Sequence, residues 1–125
     1  MSLITDIRNE LAEACEACTG WVTHPEPPRS LSTPCLIITH GAPLMEPVEE
    51  ITFNEAAHGA YSINLEVLAI VADNDSATEA LETVIDALVP VLLPTQVSEL
   101  LVFTYATNNY LSVRFQVTSF ASYSD

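Results

Sequence analysis

A chain of 125 residues is one domain, able to bury roughly two-thirds of its unfolded surface. Apolar residues form 49% of it and charged ones only 16%, against a usual ~25%, so part of its surface is expected to be hidden against other subunits. The charge is one-sided, with seventeen acids, three arginines (Arg8, Arg29, Arg114), no lysine and a net charge of −14; that excludes a surface gripping nucleic acid or anionic lipid, whose phosphates are met mainly by Lys and Arg.

No basic segment followed by an apolar core opens the chain, so no signal peptide is expected. No apolar run approaches the ~20 residues that span a bilayer. The expectation is a soluble protein made in the cytoplasm.

Leu3, Ile4, Ile7, Leu11, Ala14, Cys15 and Cys18 predict one face of a helix over 2–18, with Ser2 as its cap and Gly20 as its stop. Trp21-Val22-Thr23 reads as a short extended piece. Residues 24–34 hold Pro25, Pro27, Pro28 and Pro34 and read as a stiff connector. Cys35 to Thr39 is a buried strand by content, turned by His40-Gly41-Ala42-Pro43. Residues 44–50 read as a loop with two prolines, three glutamates and exposed Leu44, Met45 and Val48. Ile51-Thr52-Phe53 reads as a short strand, and 54–59 as a loop.

The centre of the fold is a strand–helix unit over 61–89. Tyr61, Ile63, Leu65 and Val67 alternate with Ser62, Asn64 and Glu66, and from Val67 both faces turn apolar. That is a strand which starts half-exposed and ends buried on both sides. Asp73-Asn74-Asp75 bends the chain, and Ser76 with Glu79 spells a capping box. Ala77, Ala80, Leu81, Val84, Ile85 and Leu88 then recur at helical spacing until Pro90 ends the run. Val91 to Pro94 reads as an apolar turn. A hairpin over 100–120 closes the chain, its strands Leu100–Tyr105 and Leu111–Thr118 joined around Thr107-Asn108-Asn109. The fold class is therefore α/β in the loose, α+β sense: one mixed, mainly antiparallel sheet of four or five strands, with two helices packed on it. Whether strands 61–71 and 100–105 run parallel or antiparallel is open.

Candidate chemistry is thin. Cys15-Glu16-Ala17-Cys18 spells C-x-x-C, but at the end of a helix, where the dipole raises a thiol pKa instead of lowering it. A zinc site would need Cys35, His24 or His40 as further ligands, in no compact spacing. The cysteines read as small buried residues; a metal or redox site on Cys15, Cys18 and Cys35 is the alternative. Asp73-Asn74-Asp75 superficially matches a D-x-D phosphoryl-transfer opening. Ala77 stands where that motif wants Thr or Val, and the chain lacks the lysine that would hold the phosphoryl group, so it reads as a turn. It is not a calcium loop either. There is no phosphate loop, dinucleotide fingerprint or serine elbow. His24, His40 and His58 fall in expected loops, and Glu46, Glu49 and Glu50 read as a solvated face. No catalytic, cofactor-binding or metal-ligating residue is assigned.

The layout of the whole chain resembles the tail terminator (tail completion) proteins of long-tailed siphovirus bacteriophages, particularly those of actinobacterial hosts. The features that carry the likeness are Ser2-Leu3-Ile4-Thr5-Asp6-Ile7-Arg8, the proline-rich lead into Cys35–Thr39, Ile51-Thr52-Phe53, the strand–helix unit Leu65 to Leu88, and Tyr110 to Val117. The resemblance implies a single terminator-like domain over 1–125 and a virion structural protein, not an enzyme. Such proteins form a ring, usually of six copies, on the last ring of the tail tube. They end tube growth and present a surface to the head–tail connector protein. The partners implied are the protein itself, the tube protein and the connector. DNA would pass the lumen without specific binding, and like charge suits such a bore. No membrane and no cofactor is involved. Segment 42–58 is the expected contact arm, with Leu44, Met45 and Val48 as anchors. The alternative readings are another neck or tail-tube subunit, or a small cysteine-dependent metal or redox protein.

Overall fold

The computed structural model describes residues 2–47 and 60–122, with the side chain of Ser122 excepted. Among the described residues two helices and six strands follow one another as α1 (Leu3–Thr19), β1 (Val22–His24), β2 (Cys35–Pro47), β3 (Ala60–Ala72), α2 (Ala77–Leu92), β4 (Gln96–Val97), β5 (Leu101–Tyr105) and β6 (Asn108–Ser122). The sheet order is β1-β2-β3-β6-β4, with β5 also on β6. Only β1 and β2 are parallel; every other pair is antiparallel. The mixed, mainly antiparallel sheet under two helices is thus present, with six strands instead of four or five. The extra strand arises because β4 and β5 are two pieces of one edge, both laid along β6 and separated at Ser98–Leu100.

Strand β3 lies in the middle of this order, and its alternation sorts the core into two layers. Ile63, Leu65, Val67, Ala69 and Val71 face the helices, together with Leu36 and Ile38 of β2 and Val113, Phe115 and Val117 of β6. Against them pack Ala12 and Cys15 of α1, and Ala77, Leu81, Val84, Leu88 and Leu92 of α2. On the other face Leu68 and Ile70 join Cys35 and Ile37, covered by Leu31, Phe103 and Tyr110. This is why the second half of β3 is apolar at every position. Strands β3 and β5 are not neighbours: each pairs antiparallel with β6, so they run in the same direction with β6 between them.

Helix α1 is bounded as its caps predict. Ser2 Oγ accepts from Thr5 N at 3.3 Å, and Gly20 takes a left-handed φ of 74° while its N–H reaches Glu16 O. The buried stripe differs slightly from the predicted one. Leu3 and Ala14 are exposed and Ala12 is buried, because the helix meets the sheet along 4-7-11-12-15-18. At α2 the expected capping box does not form. Ser76 donates both its N–H and its hydroxyl to Asn74 Oδ1, each at 3.0 Å, and its side chain caps nothing. The Asp73–Asp75 bend is a turn closed by Asn74. The helix also continues through Pro90 to Leu92. Proline removes one N–H from an exposed turn, and the burial of Leu92 holds the next residues helical. Leu93, left-handed at φ 47°, then stops it. The hairpin turn falls on Ala106 and Thr107, both at positive φ, and Asn108 and Asn109 belong to β6. Thr104 Oγ1, donating to Asn109 Oδ1 at 2.9 Å, locks that register.

A parallel pair needs a crossover connection, and the proline-rich segment 25–34 supplies it between β1 and β2. Leu31 packs on the second core layer. Pro28 O accepts from Tyr105 Oη, and Pro25 O accepts from Arg8 at 3.2 Å. The stiff connector is therefore a strap held at Pro25 by α1, at Pro28 by β5 and at Leu31 by the core.

The largest departure from expectation is β2. The strand does not turn at His40–Pro43 but runs on to Pro47, so the loop expected over 44–50 is strand as far as it is described. Between the pairs His40↔Leu65 and Met45↔Ile63, residues 41–44 bulge opposite Asn64 alone. Asn64 Nδ2 donates to Pro43 O at 2.9 Å and to Glu46 Oε1 at 3.3 Å, and its Oδ1 accepts from Thr118 at 2.9 Å. A Cβ on Gly41 would lie 2.8 Å from Asn64 Cβ and 2.9 Å from Asn64 O. Gly41→Ala should therefore push β2 off β3 and cost about 1–3 kcal/mol, read as a lower urea midpoint at unchanged m-value; a midpoint equal to wild type would show that the bulge absorbs the methyl group.

Candidate interaction surface

The residues singled out as possible chemistry are spread over separate elements. Cys15 is in the helix-facing core and Cys35 in the opposite layer, both with 0% exposure. Cys18, half-buried, points its Sγ at Cys15 O at 3.5 Å. All three are free thiols. Burial pushes the Cys15 thiol up to about 12, with the neighbouring Cys18 adding to the effect, and burial also raises Cys35. A thiol held protonated is a poor nucleophile and a poor metal ligand. His24 lies in β1, and His40 is exposed on β2; His58 lies outside the described residues. Among the described residues no three His, Cys, Asp or Glu side chains come together in a way that could hold a metal ion.

Two depressions mark the sheet face away from the helices. One, of about 330 Å³, lies by the β2 bulge and is lined by Gly41, Pro43, Glu46, Asn64, Glu66 and Gln116 among others. The other, of about 170 Å³, lies under the strap, between Pro27, Leu68, Phe103, Tyr105 and Arg114. In the first, Asn64 and Glu46 are committed to each other and to the bulge, so the groups lining it hold structure.

Leu44 and Met45, expected as exposed anchors, are half-buried in β2 and pack against the main core. Val48 and the remainder of segment 42–58 beyond Pro47 lie outside the described residues. The apolar exposure is found elsewhere. Leu93 is 76% exposed, Val102 64%, Val91 48% and Leu101 42%, joined by Val89 and Val97. All six belong to the end of α2 and the broken edge β4/β5. Outside that group, Phe120 near the end of β6 is 73% exposed, and Val22 on β1, at the opposite edge of the sheet, is 57% exposed.

The charge follows the same division. Residues 1–86 carry fifteen acids and two arginines, whereas 87–124 carry only Glu99 and Arg114. The acids thus fall on α1, the strap, β2, β3 and α2, while β6 and β4/β5 carry almost none. This long uncharged stretch was visible in the sequence, where the alternation of the last strand leaves one face wet or against a neighbour without saying which strand is outermost. Only the sheet order, which puts β4/β5 outermost, shows it to be surface.

No protein-family model matches the chain, and a search of curated proteins finds no significant match.

The raised thiols make stability pH-dependent in a definite direction. A thiol whose folded pKa lies above its unfolded value favours the fold fully below that unfolded value, near 9 for Cys15. Above it the unfolded chain sheds the proton first, so stability falls by at most about 1.4 kcal/mol per pH unit and per thiol up to the folded pKa. The denaturation midpoint should drop between pH 9 and 11, and Cys15→Ala should flatten the drop. An equal slope in the variant would remove Cys15 as its source.

Proposed function

We propose that the protein is a virion structural component, a ring-forming tail terminator that caps the phage tail tube, ends its elongation and meets the head–tail connector. The observation that carries this reading is the uncharged apolar edge, Leu93, Val97, Leu101 and Val102, on a chain of net charge −14. Water-exposed apolar side chains gathered at one sheet edge are the mark of a surface meant to be covered by protein. The high acidity elsewhere supports a lumen through which DNA slides without sticking. In this role the protein is not an enzyme and is assembled in the host cytoplasm into the neck of the particle. Its partners are other copies of itself, the tube protein and the connector. Another neck or tail-tube position would use the same surfaces, and the capping experiment separates it from the terminator.

The reading assigns the tube contact to segment 42–58. Wild-type protein added to polymerising tube subunits from the same genome should stop growth and yield tubes with a ring at one end, seen in negative stain. Because Leu44 and Met45 also pack on the core, Leu44→Ser with Met45→Ser is compared with Val48→Ser at matched circular dichroism. Loss of capping in both folded variants is the expected result. Unchanged capping in both discards the arm, and tubes of unlimited length with wild type discard the terminator.

Self-association should also strengthen with salt. Copies of net charge −14 repel, and raising ionic strength from about 0.01 M to about 1 M shortens the screening length from roughly 30 Å to roughly 3 Å. Light scattering should show mass rising with salt; a fall would mean that the contact is held by ion pairs.

A further inference from the structure

Resting on the ring reading, we infer that the uncharged β4/β5 edge, with the end of α2, seats head to tail against the β1/α1 edge of a second copy. A closed ring of more than two copies needs a heterologous contact, in which two different patches on opposite sides of the subunit meet. The sheet order provides such a pair. Its two outermost positions are β1 on one side and β4/β5 on the other. Each carries exposed apolar side chains: Val22 at 57% on β1 with Leu3 at 37% on α1, against Leu93, Val97, Leu101 and Val102 on the opposite side.

Charge selects the pairing. Helix α1 on the β1 side bears Asp6, Glu10, Glu13 and Glu16 against Arg8, so two such sides repel when brought together. Strands β4 and β5 and the link between them, residues 96–105 with Glu99 as the single acid, are a surface that an acidic neighbour can approach at little like-charge cost. A second copy is the occupant because a single chain carries both halves, at opposite ends of one sheet. A self-pairing of β4/β5 edges about a two-fold axis would close at a dimer and leave Val22 uncovered.

The test uses two single variants, Val22→Glu and Val102→Glu. Both side chains are more than half exposed, so each variant should keep the wild-type circular dichroism and melting midpoint. At about 0.5 M salt, where screening acts over only a few Å, wild type should sediment as an oligomer and each variant alone as a monomer. Mixed one to one, they should form a heterodimer and nothing larger. In that mixture the Val102→Glu chain offers an intact β1/α1 edge and the Val22→Glu chain an intact β4/β5 edge. If Val22→Glu alone forms a homodimer while Val102→Glu does not, the contact is two-fold and the head-to-tail proposal fails. If both variants keep the wild-type mass, the interface lies elsewhere and the proposal fails. If wild type itself stays monomeric, the proposal fails as well. Each failure is distinct from failure of the terminator reading, which the tube-capping assay decides, since a ring built through another surface would still cap tubes.

Discussion

Everything in this fold depends on β3 being apolar on both faces at once. From Val67 to Val71 each side chain is at most 5% exposed, and neither helix alone could achieve that. One face needs the helix layer, whose Leu81, Val84 and Leu88 come from the chain immediately after β3. The other needs cover from segments distant in sequence, Leu31 on the strap and Phe103 and Tyr110 on the hairpin. The strap is therefore structural, although four prolines would let it pass as a linker. Its anchorage by Arg8 and Tyr105 ties α1, the connector and β5 into one unit across the sheet. The demand for two covers also decides the topology. With β2 and β6 both antiparallel to β3, the next strand pieces can only add outside β6.

That addition leaves the uncharged part of the chain at the rim. In a larger protein a stretch such as Val97 to Val113 would find a third layer to cover it. Here there are two helices, both on one face, and α2 reaches its end as it arrives at the β4/β5 side. The result is an asymmetric molecule, charged at one edge and apolar at the other. Net charge alone predicts mutual repulsion of copies, but the distribution matters more than the sum. A like-charge penalty falls off within about a screening length, whereas apolar burial acts wherever surfaces touch.

How much of this was legible in the sequence depended on how local the cause was. The caps of α1 were legible because Ser2 and Gly20 act on their own backbone neighbourhood. So were β3 and the stripe of α2, where periodicity reports burial directly. The features that were not legible are settled by partners far along the chain. Pro43 and Pro47 announce a loop, yet β2 continues because Asn64, some twenty residues on, holds the bulge from across the strand pair. Ser76 and Glu79 spell a capping box, but Asn74 captures the serine hydroxyl first. Pro90 should end a helix, and Leu92 carries it on because a core position was waiting. At the candidate surface the difficulty was of the same kind. Leu44 and Met45 are apolar residues between prolines, which is how an exposed anchor reads, and only the continuation of β2 along β3 past the bulge lays them on the core. Leu101 and Val102 read only as hairpin strand, and their place on the surface comes from edge position, which is a property of the sheet.

An exposed sheet edge is also a hazard, since unpaired N–H and C=O groups invite strand addition without end. Both edges here are blunted, and by different means. At the β1/β2 edge the Thr23 N–H is already taken by Glu16 Oε1 at 3.1 Å, and Pro43, Pro47 and the bulge break the row beyond it. At the other edge the strand is cut in two at Ser98–Leu100. Ser98 turns back onto β6, its N–H reaching Arg114 O at 2.8 Å and its Oγ accepting from Arg114 N at 2.9 Å. What remains open is two residues in β4, five in β5 and the end of β6 past Gln116, which only β3 pairs, three separate pieces in place of one long ladder. In the proposed ring, contact at this edge falls to the side chains, which are apolar and few, and side-chain fit depends on angle in a way that a backbone ladder does not. That is the property a ring requires, because closure at a fixed copy number demands an interface that accepts one rotation and refuses the others.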